Sequence, residues 1–267
     1  MLTKGDLKVL WRSGSWQFMR HNRQTTADGT DARIVWQGAS IRYRPGTSDT
    51  TAIYEVLLKT GRKAEYNVPA NLRPRVILDI GANIGAASNY FAREFPSARI
   101  FSFEPVPDNY ALLVENTTSL PGVSTYPVAL GARDAQMEIN PATDSRNRGG
   151  FSLYESSLAG ATPIKVDVRH AGRFLREQGI ARVDLIKIDT EGAEFDVLTS
   201  LDAEFLSGVS WIVGELHGVR DFELLDFLSK RFDIDVRRSL GKRYFMFNAC
   251  NLRFLDAARQ SGWRQRR

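Results

Sequence analysis

The stretch VILDIGANIGAASNYFA, residues 76–92, decides the fold because it combines a strand, a turn and a helix. Four apolar residues around Asp79 are too few for a helix and suit a strand that is buried on both faces. Gly81 and Gly85 can adopt positive φ and bring the backbone close to a ligand, and helical spacing of apolar residues follows them. The stretch therefore predicts a strand over 76–80, a glycine turn and a helix over 86–94.

The same alternation of apolar strands and amphipathic helices continues along the chain, which predicts parallel strands joined by right-handed crossovers. Further strands are expected near residues 99–103, 123–128, 184–188, 210–214, 232–236 and 244–248, and helices near 108–117, 168–177, 193–201 and 221–229. Short β-hairpins are predicted at 136–140 and 151–153. The expected fold is an α/β, doubly wound, Rossmann-like domain with seven mostly parallel strands.

Upstream of this pattern, the sequence predicts a smaller N-terminal extension. It contains β-like runs at 32–36 and 40–44 and a helix over 50–59, for which Ser48 or Asp49 is a candidate N-cap. We expect residues 1–70 to form this cap or extension, residues 71–250 to form the doubly wound domain, and residues 251–267 to form a basic C-terminal tail.

The composition suits a chain with a packed core, since 43% of its 267 residues are hydrophobic. Cys250 is the single cysteine, which excludes an intramolecular disulfide and a cysteine-rich zinc site. The N-terminus lacks a continuous apolar core before a cleavage site, and no run of about 18 apolar residues occurs. These features predict a cytoplasmic protein.

Basic residues are concentrated near both ends, and the formal net charge is +5. Solvated termini are the favoured interpretation, and no nucleic-acid partner is expected. Docking on an anionic membrane surface is an alternative, because Trp11, Trp16 and Phe18 lie near Arg12 and Arg20. The sequence does not fix the oligomeric state.

The glycine turn does not match two familiar nucleotide motifs. A dinucleotide fingerprint needs G-x-G-x-x-G, whereas the spacing here is G-A-N-I-G. A phosphate-binding P-loop needs Lys followed by Ser or Thr after its last glycine, and Ala86 and Ala87 stand there instead. Triphosphate binding is therefore not expected.

Two carboxylates point to another ligand. Asp79, beside a helix N-terminus, would repel a pyrophosphate but attract an ammonium group or, through water, a polar amino-acid end. Glu104 ends the second strand, where a carboxylate can accept both hydroxyls of a ribose. An amino acid joined to a nucleoside through a sulfonium centre meets both demands, and that molecule is S-adenosylmethionine.

Several motifs together resemble the FkbM family of S-adenosylmethionine-dependent methyltransferases. They are RPGTSDTTAIYEVL, DIGANIGAASNYF, FEPVPDNYALLVEN, PVALGARD, VDLIKIDTEGAEFDVL and GELHG, in that order along the chain. The resemblance implies a class I methyltransferase fold and methyl transfer to a hydroxyl of a sugar, a glycan or glycolipid precursor, or a secondary metabolite. On these motifs, the residues expected to bind the cofactor are Asp79, Gly81, Asn83, Gly85, Glu104, Pro105, Ala129 and Asp189.

The acceptor end is expected where the fourth and fifth strands finish. Asp189, Glu191 and His217 are the predicted catalytic residues, with His217 as a general base. Alternatively, Asp189, Glu215 and His217 could ligate Mg²⁺ or another divalent metal that lowers the pKa of the hydroxyl. Glu191 and Glu194 could also simply complement a helix dipole, and Lys187 could neutralise the cluster.

The substrate is expected to contact Asn147, Ser152, Glu191 and His217, with the polar loop around Asn147 either closing over the pocket or forming a surface hairpin. A small-molecule or glycan acceptor is the expected partner. Two alternatives stay open: a small-molecule N-methyltransferase, and a non-catalytic module that keeps the cofactor pocket. The sequence D-T-E-G after the fourth strand, without Asn/Asp-Pro-Pro-aromatic, counts against methylation of nucleic-acid bases.

Overall fold

The computed structural model describes residues 2–61, 64–66, 68–139, 163–218, 220–238 and 245–263. In chain order its elements are α1 (Lys4–Ser13), α2 (Trp16–Asn22), β1 (Ala32–Trp36), β2 (Ala39–Tyr43), α3 (Asp49–Ala52) continued by a π-helical segment (Ile53–Leu58), β3 (Val76–Ile80), α4 (Ala86–Glu94), β4 (Arg99–Phe103), α5 (Pro107–Thr117), β5 (Val123–Tyr126), β6 (Ala129–Gly131), β7 (Ala135–Ile139), β8 (Ile164–His170), α6 (Ala171–Glu177), β9 (Leu185–Ile188), α7 (Glu194–Thr199), α8 (Ala203–Gly208), β10 (Trp211–Leu216), α9 (Asp221–Ser229), β11 (Phe232–Arg238), β12 (Phe245–Asn251), a 3₁₀ turn (Leu252–Phe254) and α10 (Leu255–Gln260).

A seven-stranded sheet with the order β11-β12-β10-β9-β3-β4-β5 forms the centre of the fold. The strands from β10 through β9, β3 and β4 to β5 pair in parallel, whereas β12 is antiparallel to both of its neighbours. The strand order reverses between β3 and β9, and ligands bind at such a switch point in doubly wound sheets. The predicted seven-stranded, mostly parallel α/β fold is confirmed.

Each face of this sheet has its own hydrophobic core. Ile77 belongs to the core that contains α4 and the N-terminal elements, and its neighbour Leu78 belongs to the core that contains α6, α7 and α9. Successive side chains of a strand point to opposite faces, so β3 is buried on both sides, as its apolar sequence predicts.

The N-terminal elements pack on the first of these faces. Phe18, Tyr43 and Ile53 are fully buried there. Asn116 of α5 fixes the edge of β2, because its side chain accepts the N–H of Arg42 at 2.7 Å and donates to the Arg42 carbonyl at 2.9 Å. Arg44 forms a buried ion pair with Asp49 at 2.8 Å, which also anchors the start of α3.

Several local predictions differ from the structure. The predicted helix at 168–177 begins only at Ala171, because 164–170 form β8 in a separate three-stranded sheet of order β6-β8-β7. Val166 and Val168 face a small core of their own, and this alternation is that of a strand. The predicted strand at 136–140 is β7, which pairs with β8, while the predicted partner at 151–153 lies outside the described residues.

The chain also contains short helices that the periodicity did not reveal, namely α1 and α2 near its start, α8 between α7 and β10, and α10 near its end. The helix expected at 50–59 is present but is π-helical from Ile53 onward, and Ser48 stands at its N-cap without a side-chain cap. Of the expected tail, residues up to 263 are described, and Trp263 packs edge-on against Trp211 with ring centroids 4.6 Å apart. Within the described residues, none of the helices has the length and apolar content needed to span a bilayer.

Candidate active site

The glycine turn after β3 brings two strand ends into direct contact. Gly81, Asn83 and Gly85 have φ of 76°, 49° and 87°, all in the left-handed region. A Cβ added to Gly81 would lie 1.8 Å from the carbonyl oxygen of Asp189, which follows β9. Only glycine therefore fits where the first turn approaches the end of the fourth strand of the parallel series.

Glu104, at the end of β4, is buried beside this turn. Its Oε2 accepts the backbone N–H of Asn83 at 2.8 Å and its Oε1 accepts that of Val106 at 2.9 Å. Burial raises the pKa of Glu104 to about 7, although these two backbone hydrogen bonds act in the opposite direction. The carboxyl group is thus held rigidly at the carboxyl edge of the sheet.

A pocket with an empty volume of about 580 Å³, including its open mouth, connects the two predicted halves of the site. Its lining contains the predicted cofactor residues Gly81, Glu104, Pro105, Ala129 and Asp189, the predicted catalytic Glu191, and Thr190. Apolar side chains supply the rest, including Phe103, Val106, Val128, Leu130, Ile139 and Val166.

Asp79 lies beneath the turn and is not part of this lining. It is fully buried, its Oδ1 lies 3.1 Å from Nζ of Lys187, and its Oδ2 accepts the hydroxyl of Ser88 at 2.6 Å. Lys187 also donates to the Gly81 carbonyl at 2.5 Å. Burial alone would lower the pKa of Lys187, but the charges of Asp79 and Asp189 raise it. Asp79 thus acts on the pocket through Lys187 and the backbone of the turn.

His217, just after β10, is surrounded by carboxylates. Its Nδ1 lies 3.1 Å from Oε1 of Glu194. Its Nε2 lies 3.4 Å from Glu191, 3.4 Å from Glu215 and 3.7 Å from Asp189. The structure therefore brings together all four residues of the predicted catalytic and metal sets and adds Glu194, for which the sequence predicted only a helix-dipole role.

Burial and the neighbouring charges shift the pKa values of His217 and Glu215. Burial by itself lowers the pKa of His217, but hydrogen bonds to Glu194 and Glu215 and the charge of Asp189 outweigh it and raise the pKa to about 12. The imidazole is therefore positively charged at neutral pH. Burial, followed by the charge of Asp189, raises the pKa of Glu215 to about 9.

Glu194 also organises the loop that leads into α7. Besides His217, its Oε1 accepts the backbone N–H of Thr190 at 2.9 Å and the Thr190 hydroxyl at 3.0 Å. Within this loop Glu191 has φ of 56° and Gly192 has φ of 117°. A non-glycine residue in the left-handed region is held there by its surroundings, and such strain is concentrated at functional sites. The loop thus presents Glu191 to both the pocket and His217.

The same cluster can be compared with a metal site. One ligand atom from each of Asp189, Glu191 and His217 lies within 4.8 Å of the others. Adjacent oxygen ligands of a small divalent cation are about 3 Å apart, close to the separations around His217 Nε2. The bond between Nδ1 and Glu194 also matches the carboxylate–histidine pairing found behind metal-bound histidines. The donor set therefore fits either a proton on His217 or a divalent cation.

Two of the expected substrate contacts, Asn147 and Ser152, lie outside the described residues. Gly85 does not line the pocket; a Cβ there would approach the Leu113 side chain at 3.0 Å, so this glycine allows α4 to pack on α5. Asn83 contributes its backbone N–H to Glu104.

The sheet order with its antiparallel β12 and the glycine turn after β3 are those of the class I methyltransferase fold. The chain belongs to the FkbM methyltransferase family, since the model of the Methyltransferase FkbM domain matches residues 79–244. The resemblance stated from the motifs is confirmed. The protein is a methyltransferase that uses S-adenosylmethionine.

Its relatives include three named methyltransferases. Methyltransferase sdnD of Sordaria araneosa is 33% identical over 181 residues, which cover 56% of this chain and 68% of that protein. The 2-O-methyltransferase NoeI of Sinorhizobium fredii is 31% identical, covering 46% of this chain and 56% of that protein. The hexuronic acid methyltransferase AglP of Haloferax volcanii is 29% identical, covering 58% and 62% respectively.

Proposed function

We propose that the protein transfers the methyl group of S-adenosylmethionine to a hydroxyl of a sugar, a glycan or glycolipid precursor, or a secondary metabolite. One observation carries this proposal: a single pocket is lined by Gly81 and Glu104 and also by Asp189 and Glu191. The carboxylate expected to bind the ribose and the carboxylates expected to accept the proton therefore line the same pocket.

The cofactor half of the pocket is suited to a nucleoside. Glu104 accepts one backbone N–H at each oxygen and a hydrogen bond from the Asn109 side chain, and a remaining lone pair can accept a ribose hydroxyl. Pro105, Val106, Ala129 and Leu130 provide an apolar wall for a flat base. When bound, S-adenosylmethionine supplies an electrophilic methyl group on a sulfonium centre.

The acceptor half must orient a hydroxyl and take its proton. The new bond joins the acceptor oxygen to the methyl carbon, the carbon–sulfur bond breaks, and the hydroxyl proton passes to a carboxylate. Since His217 is already protonated, we assign proton acceptance to Asp189 or Glu191, both of which line the pocket. His217 then positions these carboxylates through Nε2.

The names of two relatives support a hydroxyl-bearing acceptor, because NoeI is a 2-O-methyltransferase and AglP acts on hexuronic acid. The carboxylates that line the acceptor half are also suitable hydrogen-bond acceptors for a compound with several hydroxyls. We keep Asn147 and Ser152 as predicted substrate contacts.

A second arrangement of the same site is a divalent cation held by Asp189, Glu215 and His217, with Glu191 beside them. The observation that favours it is the ring of oxygen atoms around His217 Nε2 together with the Glu194 contact at Nδ1. A cation there would displace the proton from His217 and lower the pKa of the acceptor hydroxyl. Activity that survives exhaustive chelation would exclude this arrangement.

The proposed function is tested in two stages. Calorimetric titration with S-adenosylmethionine should show saturable binding by the wild type and strongly reduced binding by Glu104→Ala, since one charged hydrogen bond contributes about 1.5–3 kcal/mol. Mass spectrometry then measures methyl transfer to matched panels of hydroxyl and amine acceptors. Methylation of amines alone would identify an N-methyltransferase, and cofactor binding without any transfer would favour a binding module.

A further inference from the structure

The two N-terminal helices have an exposed side with an unusual composition. On α1, Lys4, Leu7, Lys8 and Trp11 lie three or four residues apart and form one solvent-facing stripe, while Val9 is buried on the opposite side. Trp11 is 82% exposed and Leu7 is 52% exposed. We call Lys4, Leu7, Lys8, Trp11, Trp16 and Arg20, all of them exposed, the N-terminal basic face.

Charge in this region is strongly one-sided. Residues 2–23 contain five basic side chains (Lys4, Lys8, Arg12, Arg20 and Arg23) and a single acidic one, Asp6, so that they hold four of the net +5 charges of the chain. Asp6 pairs with Arg23, whose Nη1 lies 3.5 Å from its Oδ2, and not with the lysines; it also forms the capping box of α1 and accepts the backbone N–H of Thr3 at 2.6 Å.

Contacts within the chain also hold the N-terminal basic face in place. Thr3 and Asp6 form a complete capping box, Gly14 ends α1 in the left-handed conformation, and the Ser15 side chain caps α2. Arg12 turns inward and donates to the Tyr54 hydroxyl at 3.3 Å. Since an isolated helix of this length is marginal in water, these anchors keep the two helices in place and leave their exposed residues available.

We propose that the N-terminal basic face docks the protein on an anionic phospholipid surface. Tryptophan favours the boundary between lipid headgroups and acyl chains, and lysine stems extend along apolar surface while their ammonium groups reach the phosphates. The N-terminal basic face matches this chemistry, because it combines exposed Trp and Leu with Lys and Arg and contains no exposed acidic side chain. Docking of two copies through this face is disfavoured, because it would bring like charges together.

The test is sedimentation of the full chain with phosphatidylcholine vesicles that either contain or lack phosphatidylglycerol. The wild type should bind only the anionic vesicles, and binding should weaken as salt increases. Lys4→Glu/Lys8→Glu should reduce partitioning by at least roughly thirty-fold, because each basic residue near an anionic surface contributes about 1 kcal/mol. Trp11→Ser/Trp16→Ser should also bind less, and wild-type tryptophan emission should shift to the blue on anionic vesicles.

Two matched controls make the test specific. Arg182→Glu/Lys230→Glu reverses two exposed charges elsewhere and lowers the net charge by the same amount as the first double variant. Phe222→Ser removes an aromatic side chain that is 89% exposed on α9. Both controls should bind anionic vesicles like the wild type. Equal loss in both charge-reversal variants, absence of wild-type binding, or a face-dependent change in oligomeric mass without vesicle binding would overturn the proposal.

Discussion

Nδ1 of His217 lies 3.1 Å from Oε1 of Glu194, a residue that is 2% exposed at the start of α7. Because this contact uses Nδ1, the opposite nitrogen faces Asp189, Glu191 and Glu215. The pair therefore decides which side of the imidazole faces Asp189 and Glu191, the two carboxylates that line the pocket. Burial would raise the pKa of Glu194, but the hydrogen bond and the charge of His217 lower it.

Glu194→Gln should lower the pKa of His217, because the substitution removes the buried negative charge at Nδ1 while keeping a side-chain oxygen. The His217 ring protons, followed by NMR during a pH titration, report this value directly. Glu204→Gln on α8 is the matched control, since Glu204 is exposed and away from the cluster. An unchanged titration of His217 in Glu194→Gln would show that this contact does not set its charge.

The stability of the protein should fall as the pH rises from about 6 to about 9. In the folded state the pKa of His217 is raised to about 12 and that of Glu215 to about 9, so the native state binds more protons than the unfolded state across this window. The contribution of His217 is complete below its unfolded pKa of about 6.5 and is lost progressively toward 12. Denaturant unfolding at several pH values measures the slope.

Glu215→Gln should flatten this slope, because an amide cannot lose the proton that burial of Glu215 retains. The variant should keep more of its unfolding free energy at high pH than the wild type. A slope identical to that of the wild type would mean that Glu215 ionises normally in the folded protein.

Gly81→Ala should destabilise the protein and abolish S-adenosylmethionine binding, because its Cβ would overlap the Asp189 carbonyl at 1.8 Å. Gly179→Ala is the matched control, since Gly179 also has positive φ, at 70°, but a Cβ there meets nothing within 4 Å. The control should lose only the about 1–2 kcal/mol of a left-handed alanine. If calorimetry shows equal losses of unfolding free energy in Gly81→Ala and Gly179→Ala, the close approach of β3 and β9 is contradicted.

Lys187→Met should cost about 3–5 kcal/mol of unfolding free energy, because it leaves the buried carboxylate of Asp79 without its charged partner. The double variant Asp79→Asn/Lys187→Met should recover part of this loss, since both charges are then removed. Denaturant unfolding of the four proteins in the cycle provides the coupling energy. Strictly additive losses would show that the two side chains act independently.

If Glu191 accepts the proton, Glu191→Gln should lower kcat by about 10²–10⁴-fold, which is the usual contribution of a positioned base. Cofactor affinity should stay close to that of the wild type, because the variant keeps the size of the side chain. Asp189→Asn provides the comparison, and the larger loss of kcat at equal cofactor affinity identifies the base. Full activity in both variants would remove the carboxylate assignment.

The sequence predicted the central elements well where the apolar pattern was clear. The strands at 32–36, 76–80 and 99–103 and the helices at 86–94 and 221–229 have the predicted bounds. The pattern failed at 164–170, where a strand leads directly into a helix, so that the periods of two and 3.6 residues overlap. The short helices α1 and α2 were missed because their outward faces contain Trp and Leu, which hide the amphipathic pattern.

For the site, the sequence by itself determined the glycine turn, the carboxylates at the strand ends and the family. These features are local, since they depend on backbone conformations and on where each strand ends. Only the tertiary structure decided that Asp79 pairs with Lys187 beneath the turn and that Glu194 holds His217. The charge of His217 depends on burial and on distances to residues of other elements, and no local pattern encodes those quantities.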